Sequence, residues 1–385
     1  MTHNRSRALR VLAMMVLAAM VVFVVSCASP PPPTPTPVPT QPPAPTQAPA
    51  ATAAAKPTTA PTTQISSQTS GKPKDLVKIY QLGGIIEAPY YIGIEQGYFA
   101  EQNIQAELVP FTSGVDAFAP MARGDLDVFE GALTPALTNG IIRGLPIRIV
   151  GGNAEQFPAN SSVHLVGRMD LKDQVKDYKD LKGRKIAITS LQSSAEFSIS
   201  KALALGGLTL KDVELVPLGP ADMVAALQNK AVDFAYLNEP NVSNVVAKGI
   251  GFRWKAQGDW DPGMMAAYLV FSAKLTDNKD LAVRFWKAYL KGVRTYYDGM
   301  IKNDPVKRKM TIDALVKYSS VKDPAVYDKI AIPMLPPNGE LNVQWTRDAL
   351  TYLKQYGFEV PPEDKMYDFS ARDQAVKEMG EYKWQ

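Results

Sequence analysis

Sulfur and imidazole are scarce in this chain. Of 385 residues one is a cysteine, Cys27, and two are histidines, His3 and His164. A single thiol excludes an intrachain disulfide and a cysteine-based metal cluster. A Ser-His-Asp triad would have to recruit His164, which reads instead as a structural histidine with satisfied bonds. A surplus of one charge is missing as well. The formal +4 includes Arg5, Arg7 and Arg10 in the first 26 residues, which hold no acid, and the rest carries 39 basic against 38 acidic residues. No field is left to attract nucleic acid. Neither a Gly-x-Gly-x-x-Gly nor a Walker A loop follows a strand pattern, and no His-Glu-x-x-His occurs. These absences leave no cofactor, no metal and no catalytic set, and the chain reads as a non-enzyme.

What is present begins at the first residues. A basic stretch precedes an apolar run over residues 11–25, too short to span a bilayer comfortably. The run ends Val24-Val25-Ser26-Cys27, which resembles the bacterial lipobox. Residues 1–26 are expected to be a signal peptide and Cys27 a lipidated N-terminus, anchored by acyl chains on the outer face of the cell membrane. Residues 28–74, rich in Pro, Thr and Ala, read with Cys27 as an extended tether (27–74) unable to bury a core.

The body contains the same unit twice. Glu107-Leu108-Val109-Pro110 recurs as Glu214-Leu215-Val216-Pro217, and Asp116 corresponds to Asp222. Asp127 in Asp125-Leu126-Asp127-Val128-Phe129 corresponds to Asp233, and Arg143-Gly144 to Lys248-Gly249, all at an offset of about 106 residues. Each unit alternates strand and helix. The patterns predict strands at 77–82, 105–110, 126–129 and 147–150 in the first, and at 185–189, 213–217 and 232–236 in the second. Helices are predicted at 89–99, 115–123, 134–143, 194–205, 221–229 and 241–248. The fold class is α/β, with mostly parallel sheets. Residues 162–168 and 266–271 read as two extended connectors forming a hinge. The first lobe is expected over 75–163, the second over 164–260, and a return to the first with C-terminal helices over 261–385.

A resemblance can then be named. Ala88-Pro89-Tyr90-Tyr91-Ile92-Gly93-Ile94-Glu95-Gln96-Gly97-Tyr98-Phe99, Gly124-Asp125-Leu126-Asp127, Asp180-Leu181-Lys182-Gly183-Arg184-Lys185 and Asn238-Glu239-Pro240 occur in order over residues 76–250. This set resembles the NMT1/THI5-like periplasmic-binding proteins, a group that includes sulfonate, taurine and nitrate binders. The resemblance implies a type II periplasmic-binding fold: two doubly wound α/β lobes joined by a two-strand hinge. It also implies a monomer that delivers its ligand to an ABC permease and ATPase. Fungal members are enzymes of thiamine-pyrimidine synthesis. They carry a cysteine-rich motif and an active-site histidine that this chain lacks.

Ligand contacts are expected from loops after strands and from helix N-termini. The first lobe offers Glu87, Tyr90, Phe111, Ser113, Glu130, Gly131 and Asn153. The second offers Gln192, Ser193, Ser194, Phe197, Asn238 and Glu239. Ser193 and Ser194 suit either an anion or simple N-capping. Tyr91, Phe129, Phe157, Tyr236, Trp254 and Trp260 crowd the same regions, and two or three rings facing the cleft would favour a flat heterocycle. No arginine falls in these loops, which weighs against nitrate or phosphate. Riboflavin is the first expectation, a thiamine-pyrimidine precursor the second, with an aliphatic sulfonate or taurine as an alternative.

Overall fold

The computed structural model describes residues 74–111 and 114–384. The signal peptide, Cys27, almost all of the tether and Ser113 lie outside the described residues. Among the described residues ten strands form two sheets. They are β1 Asp75–Gln81, β2 Ile104–Pro110, β3 Val128–Gly131, β4 Ile147–Gln156, β5 Val163–Arg168, β6 Lys185–Ile188, β7 Glu214–Pro217, β8 Phe234–Asn238, β9 Gly251–Ala256 and β10 Met264–Ser272. The first sheet runs β2-β1-β3-β10-β4 and the second β7-β6-β8-β5-β9. The orders match strand for strand. In each sheet three parallel strands are followed by one antiparallel strand, β10 in the first, reached after the whole second sheet, and β5 in the second, the first of that sheet's strands in the chain.

The longer helices are α1 Ala88–Glu95, α2 Phe118–Arg123, α3 Pro135–Ile142, α4 Ser194–Leu205, α5 Pro220–Gln228, α6 Asn241–Ala247, α7 Lys279–Tyr296, α8 Pro305–Tyr318, α9 Val343–Lys354 and α10 Ser370–Met379. They cover both faces of the sheets, so strand residues are buried on either side, as parallel sheets require. Val77, Ile79 and Val128 face the core beneath α1 and α7, whereas Tyr80, Phe129 and Ile149 face a second core with α9. In the second sheet Ile186, Ile188 and Phe234 alternate in the same way with Ala187 and Ala235.

The sequence repeat is a repeat of register. Lys78 pairs with Glu107 and Lys185 with Glu214. The Lys78 N–H donates to Asp127 Oδ2 at 2.8 Å and the Lys185 N–H to Asp233 Oδ2 at 3.0 Å. Each aspartate N–H returns a bond of 2.9 Å to the same lysine's carbonyl. A carboxylate held this way pins the entry to β3 or β8 against β1 or β6.

The segments expected as connectors need correction. Residues 162–168 and 266–271 are largely the antiparallel strands β5 and β10, each paired on both sides as the fourth strand of its sheet. The crossings lie just before these strands, between Gln156 and Val163 and between Ala256 and Met264. They touch each other. The Gly258 N–H donates to Ser161 Oγ at 3.3 Å, and a Cβ on Gly258 would lie 2.1 Å from the Phe157 carbonyl carbon. β9 was not anticipated, although Phe252 and Trp254 alternate within it.

β4 and β9 both end at the crossings. Each is parallel, through its antiparallel neighbour, to the other forward strands of its sheet. The carboxyl ends of both parallel sets therefore point toward the crossings, and the loops that follow them line the space between the sheets.

Candidate functional site

The loop after β1, residues 82–87, folds around a buried acid. Glu87 accepts hydrogen bonds from the Leu82 N–H at 2.8 Å, the Gly83 N–H at 3.0 Å and the Tyr91 hydroxyl. Those bonds occupy its carboxylate and leave Leu82 about half exposed on the loop. Tyr90 lies in the first turn of α1 with its ring turned inward. It is fully buried, 5.1 Å from the Tyr289 ring, and no ligand reaches it in this conformation. Asn153 is buried too. It donates to the Ile86 carbonyl at 2.9 Å and accepts from the Tyr289 hydroxyl at 2.9 Å. Glu130 completes this layer. Neither of its oxygens has a hydrogen-bond partner among the described residues, and the Tyr90 hydroxyl has none either. Burial, then the Glu87 charge, push the Glu130 carboxyl well above the usual carboxylate range, with Asn153 and Tyr90 opposing. Glu87 and Glu130 thus form a carboxylate pair beneath the loop, while Glu239 follows β8 of the other sheet.

Beside this layer is an aromatic wall. Phe111, half-buried, stacks on Tyr80 at 5.1 Å, and Tyr80 meets the Phe129 ring edge-on at 5.0 Å. Gly131 follows Phe129 closely enough that a Cβ would fall 2.4 Å from its ring. A side chain at this position would collide with that ring.

In the second lobe Ser193 caps α4. Its Oγ accepts from the Glu196 N–H at 3.4 Å and donates to the Ser190 carbonyl at 2.8 Å. Gln192 is exposed with φ +52°, and its N–H donates to Glu196 Oε2 at 2.9 Å. Ser194 is buried. Phe197 is half-buried, 5.0 Å from the Tyr352 ring and 5.8 Å from Trp345. Both of those partners lie on α9, which packs against the first sheet. Asn238 is exposed at the end of β8. Glu239 is buried and committed. It accepts from Arg253 at 2.8 Å, from the Ser243 N–H at 3.0 Å and, across from the C-terminal segment, from the Ala331 N–H at 3.1 Å.

The remaining ring and imidazole candidates are structural. Tyr91, Tyr236 and Trp260 are buried, and Trp254 packs on Phe234 and Tyr178. His164 sits on β5 rather than on a connector. Burial and the nearby Arg253 lower its pKa to about 4, against the pull of Glu239 and Asp259, so it is neutral at pH 7. Its Nδ1 has no partner among the described residues, unlike the satisfied histidine expected. No grouping of three or more metal-ligating side chains occurs among the described residues.

The sequence reading missed Glu196, Trp345, Tyr352, Arg253 and Ala331. Glu196 had a signal: Ser193-x-x-Glu196 is the capping-box spacing. The α9 residues had none, because their approach depends on how a distant helix docks.

The family profile described as NMT1/THI5 like matches residues 87–299. A Bacillus subtilis (strain 168) protein named for binding aliphatic sulfonates is 28% identical over 214 residues, which is 54% of this chain and 61% of that protein. The match thus spans less than two thirds of that relative. The riboflavin-binding protein RibY of Chloroflexus aurantiacus is 26% identical over 296 residues, covering 74% of this chain and 73% of that one. The crystal structure of the periplasmic aliphatic sulphonate binding protein SsuA from Escherichia coli superposes with a TM-score of 0.60 at 18% identity, over 76% of this chain and 97% of SsuA. The two-sheet architecture is therefore that of the type II periplasmic-binding proteins.

Proposed function

This chain belongs to the NMT1/THI5-like family, and from that premise we propose that it is the ligand-capturing subunit of an ABC importer. The observation that carries this reading is the direction of the strands. Both parallel sets end toward a double crossing, so two lobes present their loops to one ligand and can close on it about that crossing. Sequence around Cys27 supports anchoring to the outer face of the cell membrane. The captured ligand would pass to a permease with its ATPase.

The ligand is a flat heterocycle of the riboflavin class. Phe111 on Tyr80 forms one aromatic wall and Phe197 with Trp345 and Tyr352 another. Rings offer stacking without a charge requirement. The exposed polar groups at the loop ends, Thr189, Ser190, Gln192 and Asn238, suit the edge of such a ring. An aliphatic sulfonate is the second reading, favoured by the name of the Bacillus relative.

Titrating the purified full-length protein with riboflavin should quench the vitamin's fluorescence saturably. At about 100 times Kd, ligand should stabilise the fold by about 2.7 kcal/mol and raise Tm by several degrees. A Tm rise with a sulfonate, without quenching, would retain the transport role and replace the ligand. No response to riboflavin, a thiamine-pyrimidine precursor or sulfonates would remove the reading.

A further inference from the structure

We propose that Glu196 is a positioning residue that ties the cleft loop of the second lobe to helix α9 of the first, so that ordering of the loop and closure of the lobes are one event. This rests on the cleft reading above and adds the device that couples its two walls.

The carboxylate of Glu196 is buried and shared. Oε2 accepts the Gln192 N–H at 2.9 Å. Oε1 accepts the Tyr352 hydroxyl at 2.8 Å and the Tyr356 hydroxyl at 2.5 Å. The two hydroxyls also lie 3.2 Å apart. One oxygen therefore fixes residue 192 in a left-handed conformation that a side chain adopts reluctantly. The other reaches across to Tyr352 on helix α9 and Tyr356 just beyond its end, and the first lobe holds that helix through the Tyr268–Thr346 contact of 3.0 Å and the packing of Leu350. Bonds to an ionised acceptor are stronger than neutral ones, and each leaves a buried charge short of a partner when broken.

The same helix has a second contact nearer the pivot. Lys201 Nζ lies 2.5 Å from Asp261 Oδ1, which also accepts the Trp345 indole N–H at 2.9 Å. Asp261 belongs to the return crossing itself, so this contact moves little when the lobes swing. Glu196 lies five residues earlier on α4, roughly 7 Å further along the helix axis. Opening about the crossing would break the tyrosine contacts at Glu196 before the Lys201–Asp261–Trp345 contact. A loop that loses the Oε1 donors then shares its carboxylate with water, and the hold on Gln192 weakens with it.

The test compares the full-length wild type with the Tyr352→Phe/Tyr356→Phe double variant and with Glu196→Gln, which keeps the side-chain shape. Dyes clicked onto unnatural residues at positions 123 and 211, one on each lobe, report interlobe distance by Förster transfer without ligand. Hydrogen exchange reports the Gln192 amide. The double phenylalanine variant should lose the high-transfer population. It should also exchange the Gln192 amide faster, although no bond to that amide was removed. Its riboflavin dissociation should accelerate about tenfold. Glu196→Gln should show both effects. Unchanged transfer together with unchanged Gln192 exchange in the tyrosine variant would overturn the proposal. If riboflavin fails to bind the wild type, the ligand reading falls alone, because the transfer and exchange comparisons need no ligand.

Discussion

Replacing Gly292 by valine should destabilise the protein by about 3 kcal/mol or more, seen as a large fall in the denaturant midpoint. Gly292 lies in the middle of α7, where a glycine ordinarily costs about 1 kcal/mol relative to alanine. It is kept there by a close approach. A Cβ at this position would stand 2.3 Å from the Pro89 carbonyl oxygen and 3.0 Å from the Pro89 Cα. Those are backbone atoms at the start of α1, which cannot rotate away. Parting the helices would also pull Tyr289 from Tyr90 and loosen the base of the loop that Glu87 organises. Even alanine should destabilise, because its helical gain is smaller than the displacement it forces. A valine variant unfolding at the wild-type midpoint would contradict this packing.

Glu130→Gln should stabilise the protein, and the gain should grow as pH rises. The native carboxyl is held above its ordinary value of 4.5 by burial and by Glu87. The unfolded chain releases that proton near pH 4.5. Above that pH the native state binds more protons, so stability declines as pH rises until the folded-state group ionises. For one whole proton the slope is about 1.4 kcal/mol per pH unit. Glutamine is neutral and similar in shape, and it removes that slope. Three other groups shift as well. Glu87 is raised by burial, against the bonds it accepts, and loses stability as pH rises above 4.5. Glu155 is raised to about 7, by burial first and Glu340 last, and also loses stability as pH rises from 4.5 toward 7. His164, lowered to about 4, acts in the opposite sense and loses stability as pH falls from 6.5 toward 4. Glu155 and His164 are unchanged in the variant, so the difference between the two stability curves reports Glu130 together with its coupling to Glu87. Parallel curves between pH 5 and 8.5 would contradict the buried, unpaired acid.

The repeat was legible because it is local. The same short strand, the same following turn and the same aspartate recur at one spacing, and the structure places Lys78 and Lys185, Asp127 and Asp233 in equivalent bonds. The partners of β5 and β10 were not legible. Their extended character shows in the residues, but insertion between β3 and β4, or between β8 and β9, is decided by tertiary pairing. The loops of the site were legible and the directions of their side chains were not. Tyr90, at the start of a helix beside the cleft, could point either way until α7 is placed, and Tyr289 and Phe285 draw it inward. Phe111 and Phe197 stay half-buried because Tyr80 and α9 meet them from one side only.

The central claim is that one ligand is held by both lobes at once, and hydrogen exchange on the full-length protein tests it most directly. With riboflavin bound, slower exchange should appear together in residues 82–87 of the first lobe and 189–193 of the second, with the core strands unchanged. Protection confined to one lobe, or absent with riboflavin, a thiamine-pyrimidine precursor and sulfonates alike, would contradict capture between the lobes.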